Sequence, residues 1–171
     1  EMTNSSSDII KFWFSEITPK EWFVKDLSFD QVIKESRSEV EHYIDRDDIR
    51  GLVRHLKAGR AVWYAPDQDY GIKHAVYAPF FGVPAASITA TSRIARMSGA
   101  VVIPVAHYRL PGGRYRIEFG ETLNDFPTRD DLADATKVNQ TIEHYINKMP
   151  EQYLWVHRRF KHQQDGKNFY K

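Results

Sequence analysis

The fold class is decided by one stretch, Gly59-Arg60-Ala61-Val62-Trp63-Tyr64-Ala65-Pro66-Asp67-Gln68-Asp69-Tyr70-Gly71. A glycine that ends a helix is followed by a short apolar run rich in strand-forming residues, from Ala61 to Ala65. Pro66 breaks the run, and two carboxylates follow it, Asp67 and Asp69. A buried strand that delivers acidic side chains at its carboxyl end is typical of ligand-binding edges in open α/β sheets. The same carboxylates also suit a plain turn, so a structural role stays open.

The segment upstream of this stretch has a helical pattern. Its apolar residues are spaced as one stripe of a helix that begins near Asp47 and ends at Gly59. The stripe consists of Ile49, Leu52, Val53 and Leu56. A second helix is predicted to start at Asp8 and to carry Ile9, Ile10 and Phe12.

The segment downstream alternates between helix and strand. Residues 70–84 predict a long ordered loop that leaves room for a short strand near residues 76–78, and residues 86–98 predict a helix. The apolar run at 100–106 predicts a central buried strand, which a Pro-Gly-Gly turn joins to a second strand. The longest predicted helix covers residues 130–149. This alternation predicts an α/β fold.

Composition narrows the classes of function. The 171 residues include no cysteine, which excludes a disulfide scaffold and a thiolate site. A net charge of only +1 argues against nucleic acid as a partner. The histidines and acids lack zinc-site spacing and no glycine-rich phosphate loop is present, so neither a metal nor a cofactor is expected. No apolar run is long enough to span a bilayer, so no membrane-spanning segment is expected.

Several ordered blocks carry a resemblance to a known family. Residues 63–71 resemble the YAPD-x-DYG block of the late acyltransferases of lipid A biosynthesis, which add lauroyl or myristoyl chains in Gram-negative bacteria. Further matching blocks follow in the same order at residues 80–83, 89–91, 95–100 and 150–161. The resemblance covers residues 43–171 and corresponds to the C-terminal portion of such an enzyme. It implies a partial αβ sandwich like that of the glycerol-phosphate acyltransferases.

The start of the chain resembles a different protein family. Residues 8–35 are similar to the start of a small all-helical bacterial family of unassigned function. We therefore expect residues 1–42 to form a short helical segment of foreign origin, joined by fusion to the acyltransferase portion at 43–171.

The acyltransferase resemblance implies a reaction and partners. An acyl chain moves from acyl carrier protein to a hydroxyl of a Kdo-bearing lipid A precursor, at the cytoplasmic face of the bacterial inner membrane, without a dissociable cofactor. An anionic membrane surface is a further expected partner, because residues 1–40 carry a net charge of −3 and the remainder is mildly basic.

Acyl transfer to a hydroxyl needs a base, which the wider superfamily supplies as a histidine with a carboxylate five residues later. His42 and Asp47 have this spacing. The family's motif lies much further upstream of the YAPD block, so a linker role for His42 stays open. In that case the catalytic half is missing, and the chain alone is inactive.

The remaining candidate residues are substrate-binding ones. The resemblance implies that Asp67, Asp69 and Tyr70 border the acceptor pocket. Arg96 pairs with one of these carboxylates or a substrate phosphate, or else faces solvent. His157, Arg158, Arg159 and Lys161 form a basic cluster that faces lipid phosphates or is a solvated surface. His74, His107, His144 and His162 match no block with assigned chemistry.

Two other classes of function stay open at this stage. The foreign start favours a truncated or fused, non-catalytic product. The aromatic residues of the N-terminal segment and the basic-aromatic C-terminal segment favour a peripheral membrane or protein-interaction module.

Overall fold

The computed structural model describes residues 9–12, 44, 48–167, 169 and 170. Helices and strands alternate along this part of the chain, as an α/β fold requires. The strands are β1 (Ile9–Phe12), β2 (Val62–Tyr64), β3 (Ala75–Phe80), β4 (Val83–Ile88), β5 (Val101–Leu110) and β6 (Arg114–Phe119). The helices are α1 (Ile49–Lys57), α2 (Ala90–Ser98) and α3 (Asp131–Ile146), with short 3-10 helices at Pro150–Gln152 and Trp155–His157.

The main sheet has the strand order β2-β1-β5-β6. β1 is parallel to both neighbours, with Ile10 opposite Val62 on one side and Val102 on the other. The helix predicted from Asp8 is therefore wrong over residues 9–12. A β-branched pair, Ile9 and Ile10, suits a pleated strand, and a strand here completes the hydrogen-bonding edges of both β2 and β5.

The prediction for residues 70–98 was also partly wrong. β3 contains the short strand expected near residues 76–78 but covers all of Ala75–Phe80. It pairs with β4 in an antiparallel hairpin, where the rest of the loop and the start of a helix were expected, and the helix begins only at Ala90. The turn residues Phe81 and Gly82 both have positive φ, 48° and 76°. Such a two-residue turn matches the twist of the strands it joins, and an aromatic residue in its first position gives no sequence signal for it.

The other predicted elements are confirmed with shifted ends. α1 begins after Asp48, whose Oδ1 accepts a hydrogen bond from the Gly51 amide at 2.8 Å, and Gly59 follows it with a φ of 75°. β5 is longer than predicted. Pro104 lies where its pairing with β1 ends and just before its pairing with β6 begins, so a residue without an amide hydrogen is tolerated.

The core lies on one side of the main sheet. Helices, hairpin and sheet all contribute side chains that are almost fully buried, among them Leu56, Phe80, Ile94, Val102 and Ile142. Tyr153 joins this cluster from the C-terminal segment, and the partly buried Phe160 packs against it. This packing holds residues 150–162 against the hairpin and the loop after β2. None of the helices among the described residues is long and apolar enough to cross a membrane.

Candidate functional site

Asp69, in the loop after β2, is the anchor of the site. Its side chain is fully buried, and its Oδ1 accepts a hydrogen bond from the Gly71 amide at 2.8 Å. The same oxygen lies 2.9 Å from Nδ1 of His162, and Oδ2 accepts from the His162 amide at 3.3 Å. The carboxylate therefore fixes both the shape of its own loop and the end of the C-terminal segment, 93 residues further along the chain.

His157 makes a second link between these two segments. Its Nε2 accepts a hydrogen bond from the Asp69 amide at 2.7 Å. This contact requires the neutral ring with its proton on Nδ1. Burial lowers the pKa of His157, and the nearby cations Lys161 and Arg159 lower it further against the opposing charge of Asp69. The imidazole is thus held neutral as an acceptor for the backbone.

We predict that His157 makes the protein less stable in mild acid. The unfolded chain protonates His157 near its ordinary pKa of 6.5, whereas the folded protein does so only at lower pH. The free energy of unfolding should therefore fall as the pH drops below about 6.5, until the folded pKa is passed. The measurement is urea unfolding of the wild type and His157→Gln across this range.

His157→Gln keeps an oxygen that accepts from the Asp69 amide but removes the titration. The burial-lowered pKa of His107 contributes in the same direction, so the informative quantity is the difference between the two pH slopes. Identical slopes in wild type and variant would contradict the assignment of His157.

Asp67 is buried beside Asp69. Its carbonyl oxygen accepts a hydrogen bond from the Tyr153 hydroxyl at 3.1 Å. Burial raises the pKa of Tyr153, and the Asp67 charge raises it further. Tyr153 therefore stays a protonated donor, and the loop after β2 has three separate attachments to residues 153–162.

Arg159 supplies a buried positive charge behind the two carboxylates. Only 2% of the residue is exposed. Its Nη1 donates to the Ala86 carbonyl at 2.8 Å and its Nη2 to Ser87 Oγ at 2.9 Å. The guanidinium carbon also lies 5.1 Å from the ring centre of Phe80. Burial lowers the pKa of Arg159, while the charges of Asp69 and Asp67 oppose that change.

The structure separates the predicted site residues into three groups. Asp67, Asp69 and His157 come together as described. Arg96 instead donates to the Thr128 carbonyl, at 2.7 Å from Nη2, and pairs with Asp131 and Asp134 at the start of α3. Its partners are therefore not the loop carboxylates. His42 and Asp47 lie outside the described residues.

Tyr70 and Arg158 are both exposed at the surface near the site. The Tyr70 hydroxyl donates to the Ala65 carbonyl at 3.4 Å. The Arg158 guanidinium carbon lies 5.9 Å from the ring centre of Tyr170. Arg158 has a φ of 58°, which turns the chain after the second 3-10 helix and separates its side chain from that of the buried Arg159.

Sequence reasoning missed two members of the site. The sequence pattern places Arg159 in a basic cluster with surface cations, and it gives His162 no chemical role. The sequence signal available for Arg159 was its position between the aromatic residues of the 150–161 block. No local pattern indicates that His162 meets Asp69, because that contact depends on tertiary packing.

An open groove of about 610 Å³ lies next to this network. Its lining includes Ile72, Tyr77, Arg158, Lys161, His162 and Tyr170. Asp69, which is buried beneath, contacts the groove through His162. Among the described residues, no group of three or more histidine or acidic side chains is arranged to hold a metal ion.

The sequence model of the bacterial lipid A biosynthesis acyltransferase family matches residues 21–162. The chain belongs to this family. A lipid A biosynthesis lauroyltransferase of Escherichia coli (strain K12) is 42% identical over 125 residues, which are 72% of this chain and 41% of that protein. A lipid A biosynthesis palmitoleoyltransferase of the same strain is 44% identical over 120 residues, 69% of this chain and 39% of that protein.

A lipid A biosynthesis acyltransferase of Haemophilus influenzae is 39% identical over 127 residues, 72% of this chain and 41% of that protein. This lipid A acyltransferase chain thus spans about two fifths of the length of the curated relatives it matches. The family match includes the linked residues Asp67, Asp69, Tyr153, His157 and His162, and it confirms the resemblance. It also includes residues 21–42, and the domain boundary at residue 42 stays a prediction.

Proposed function

We propose that this chain is the acceptor-binding portion of an acyltransferase of lipid A biosynthesis. The reaction transfers an acyl chain from acyl carrier protein to a hydroxyl of a Kdo-bearing lipid A precursor. One observation carries the proposal: the acidic loop at 67–69 and the C-terminal segment at 153–162 join at the edge of a basic groove. Both segments lie within the family match.

Asp69 acts in this proposal as a positioning residue. Its carboxylate is fully buried and already bonded to two backbone amides, so it is not available as a base for an external hydroxyl. It instead fixes His162 at the groove. If the groove wall at His162 moved, the bound acceptor would move with it. A displacement of about 1 Å is enough to lower the rate of a catalysed reaction by about 100-fold.

The base of the reaction is proposed from sequence spacing alone. His42 would remove the proton of the acceptor hydroxyl, and Asp47 would orient the imidazole. No histidine among residues 48–167 has a carboxylate five residues later. Since the chain also spans only about two fifths of its relatives, we expect the 171 residues alone to give no measurable turnover.

The experiment has two arms. The 171-residue chain is first assayed with acyl carrier protein as donor and a Kdo-bearing lipid A precursor as acceptor, and no turnover is expected. A chimera is then made in which residues 43–162 replace the matching part of the E. coli lauroyltransferase, and it should be active. In the chimera, Asp69→Asn should lower kcat/KM by about 100-fold, while the exposed control Glu121→Gln leaves it unchanged.

Equal activity of the two chimera variants would remove Asp69 from the proposed site. Turnover by the 171-residue chain alone would overturn its proposed inactivity. His42→Ala would then decide whether His42 is the base, since loss of that turnover is expected only if it is.

We also propose that the sheet and helices are part of an αβ sandwich like that of the glycerol-phosphate acyltransferases. Strands β2, β1 and β5 run parallel, and the core packs on one side of them. This arrangement supports a layered sandwich, with the loop after β2 at the carboxyl end of a parallel strand.

An anionic membrane surface is the further partner we propose, at the cytoplasmic face of the inner membrane. Three apolar side chains support it: Phe81 at the hairpin tip is 37% exposed, Trp155 is 47% exposed and Val156 is 82% exposed. The Phe81 and Trp155 rings lie 6.1 Å apart, so they form one patch. Arg158 follows two residues after Val156 in the sequence, so the same segment supplies both apolar and cationic side chains to an anionic surface.

A further inference from the structure

The groove beside Asp69 is open to solvent and has a volume of about 610 Å³. Its lining combines the apolar Ile72 and two tyrosines with cationic side chains. A phosphorylated sugar or a lipid headgroup matches both the volume and this mixture.

Two of the three lysine and arginine side chains that line the groove are not compensated by neighbouring carboxylates. Within the part of the chain that the structure describes, neither Arg158 nor Lys161 forms an ion pair, whereas Lys167 pairs with Asp165 at 2.7 Å. The Lys161 amide donates to the Arg158 carbonyl at 3.1 Å, so one tight turn places both on the same wall. Two such charges together favour an anion that carries more than one negative charge.

The wall that carries these cations is held in place. His162 is bonded to Asp69 through both its ring and its backbone amide. The Phe160 amide donates to the Tyr170 hydroxyl at 3.0 Å, and the Gln163 side chain donates to the Phe160 carbonyl at 3.1 Å. A fixed backbone reduces the entropy that is lost when Arg158 and Lys161 close on a ligand.

We propose that this groove binds a phosphate monoester through Arg158 and Lys161, with His162 as the fixed wall between Asp69 and the ligand. Arginine offers paired N–H groups to phosphate oxygens, and lysine offers a compact charge. This inference rests on the proposed function only in assigning the phosphate to an acylation acceptor. The phosphate group itself belongs either to a soluble sugar phosphate or to a lipid headgroup in a bilayer.

The test is direct binding to the 171-residue chain, without turnover. Inorganic phosphate and glucose 1-phosphate are titrated by calorimetry, and phosphatidylcholine vesicles doped with phosphatidic acid are used in flotation. The double variant R158Q/K161Q should weaken binding by about tenfold or more. The control is R54Q/K57Q on α1, which removes two exposed cations with the same three-residue spacing and should bind like the wild type.

The calorimetric titrations and the vesicle flotation distinguish the two sources of phosphate. Binding of the soluble phosphates that depends on Arg158 and Lys161 supports a sugar phosphate ligand. Binding seen only with vesicles, with the same dependence, supports a lipid headgroup. Val156→Asp should weaken vesicle binding through the apolar patch while leaving soluble phosphate binding intact.

No binding in either arm would overturn the proposal, as would equal losses in R158Q/K161Q and R54Q/K57Q. Circular dichroism of each variant shows whether it is folded. Because binding is read without the acyl donor, a failure here leaves the acyltransferase proposal standing. Inactive chimeras would in turn leave the phosphate site standing.

Discussion

Arg159→Ala is expected to lower the free energy of unfolding by about 3 kcal/mol or more, because it removes two buried hydrogen bonds from a charged donor, each worth about 1.5–3 kcal/mol. The residue is 2% exposed, and its two donated hydrogen bonds hold β4 at Ala86 and Ser87. Without it, the Asp67 and Asp69 carboxylates remain buried without the positive charge behind them. The measurement is urea unfolding followed by circular dichroism.

The neighbouring arginine provides a matched control. Arg158 is exposed and has no ion pair in the described part of the chain, so Arg158→Ala should change the free energy of unfolding by less than about 1 kcal/mol. Arg159→Lys should remain strongly destabilising, because an ammonium cannot reach Ala86, Ser87 and the face of Phe80 together. Equal effects of the two alanine variants would mean that Asp67 and Asp69 are compensated elsewhere.

The contrast between Arg158 and Arg159 shows what the sequence can predict and what it cannot. Both lie in one basic run, Arg158-Arg159-Phe160-Lys161, and sequence patterns treat them alike. A positive φ at Arg158 turns one guanidinium to solvent and the next into the core. Tertiary packing determines which of the two arginines is buried, and no local sequence pattern indicates it.

Local signals were sufficient for most helices and for β5 and β6. α1 and α3 were predictable because each combines an apolar stripe with an aspartate cap, Asp48 and Asp130. The hairpin at 75–88 was not, because its turn has no Asn-Gly or Asp-Gly pair. β1 was missed because four residues cannot distinguish a strand from a helix when the deciding contacts are distant.

The candidate site was only partly predictable. Asp67 and Asp69 were predictable because they follow an apolar strand and a proline, and because the same residues belong to a block that resembles the family. The partners of Asp69 lie 88 and 93 residues away at His157 and His162, and spacing along the chain gives no sign of either contact. The partners of Arg96 were missed for the same reason, since Thr128 and Asp131 come from the approach to α3.

Phe80→Ala is expected to destabilise the protein by about 3–5 kcal/mol through loss of buried area and the cavity it leaves. Phe80 is fully buried. Its ring centre lies 6.1 Å from that of Tyr153 and 6.0 Å from that of Phe160, so it joins the hairpin to both ends of the C-terminal segment. Urea unfolding measures the loss, and Phe80→Leu should cost less because it fills most of the same space.

Phe80 and Arg159 should also be coupled to each other. The guanidinium carbon lies 5.1 Å from the ring centre, a distance at which a buried cation and an aromatic face attract each other by about 0.5–2 kcal/mol. A double-mutant cycle with Phe80→Leu and Arg159→Met isolates this energy, because both variants keep bulk at their positions and methionine removes the charge. Strict additivity would contradict the coupling.

A coupling of the expected size would mean that the hairpin, the acidic loop and the groove wall are stabilised as one unit, so substitutions at the hairpin should also weaken ligand binding in the groove.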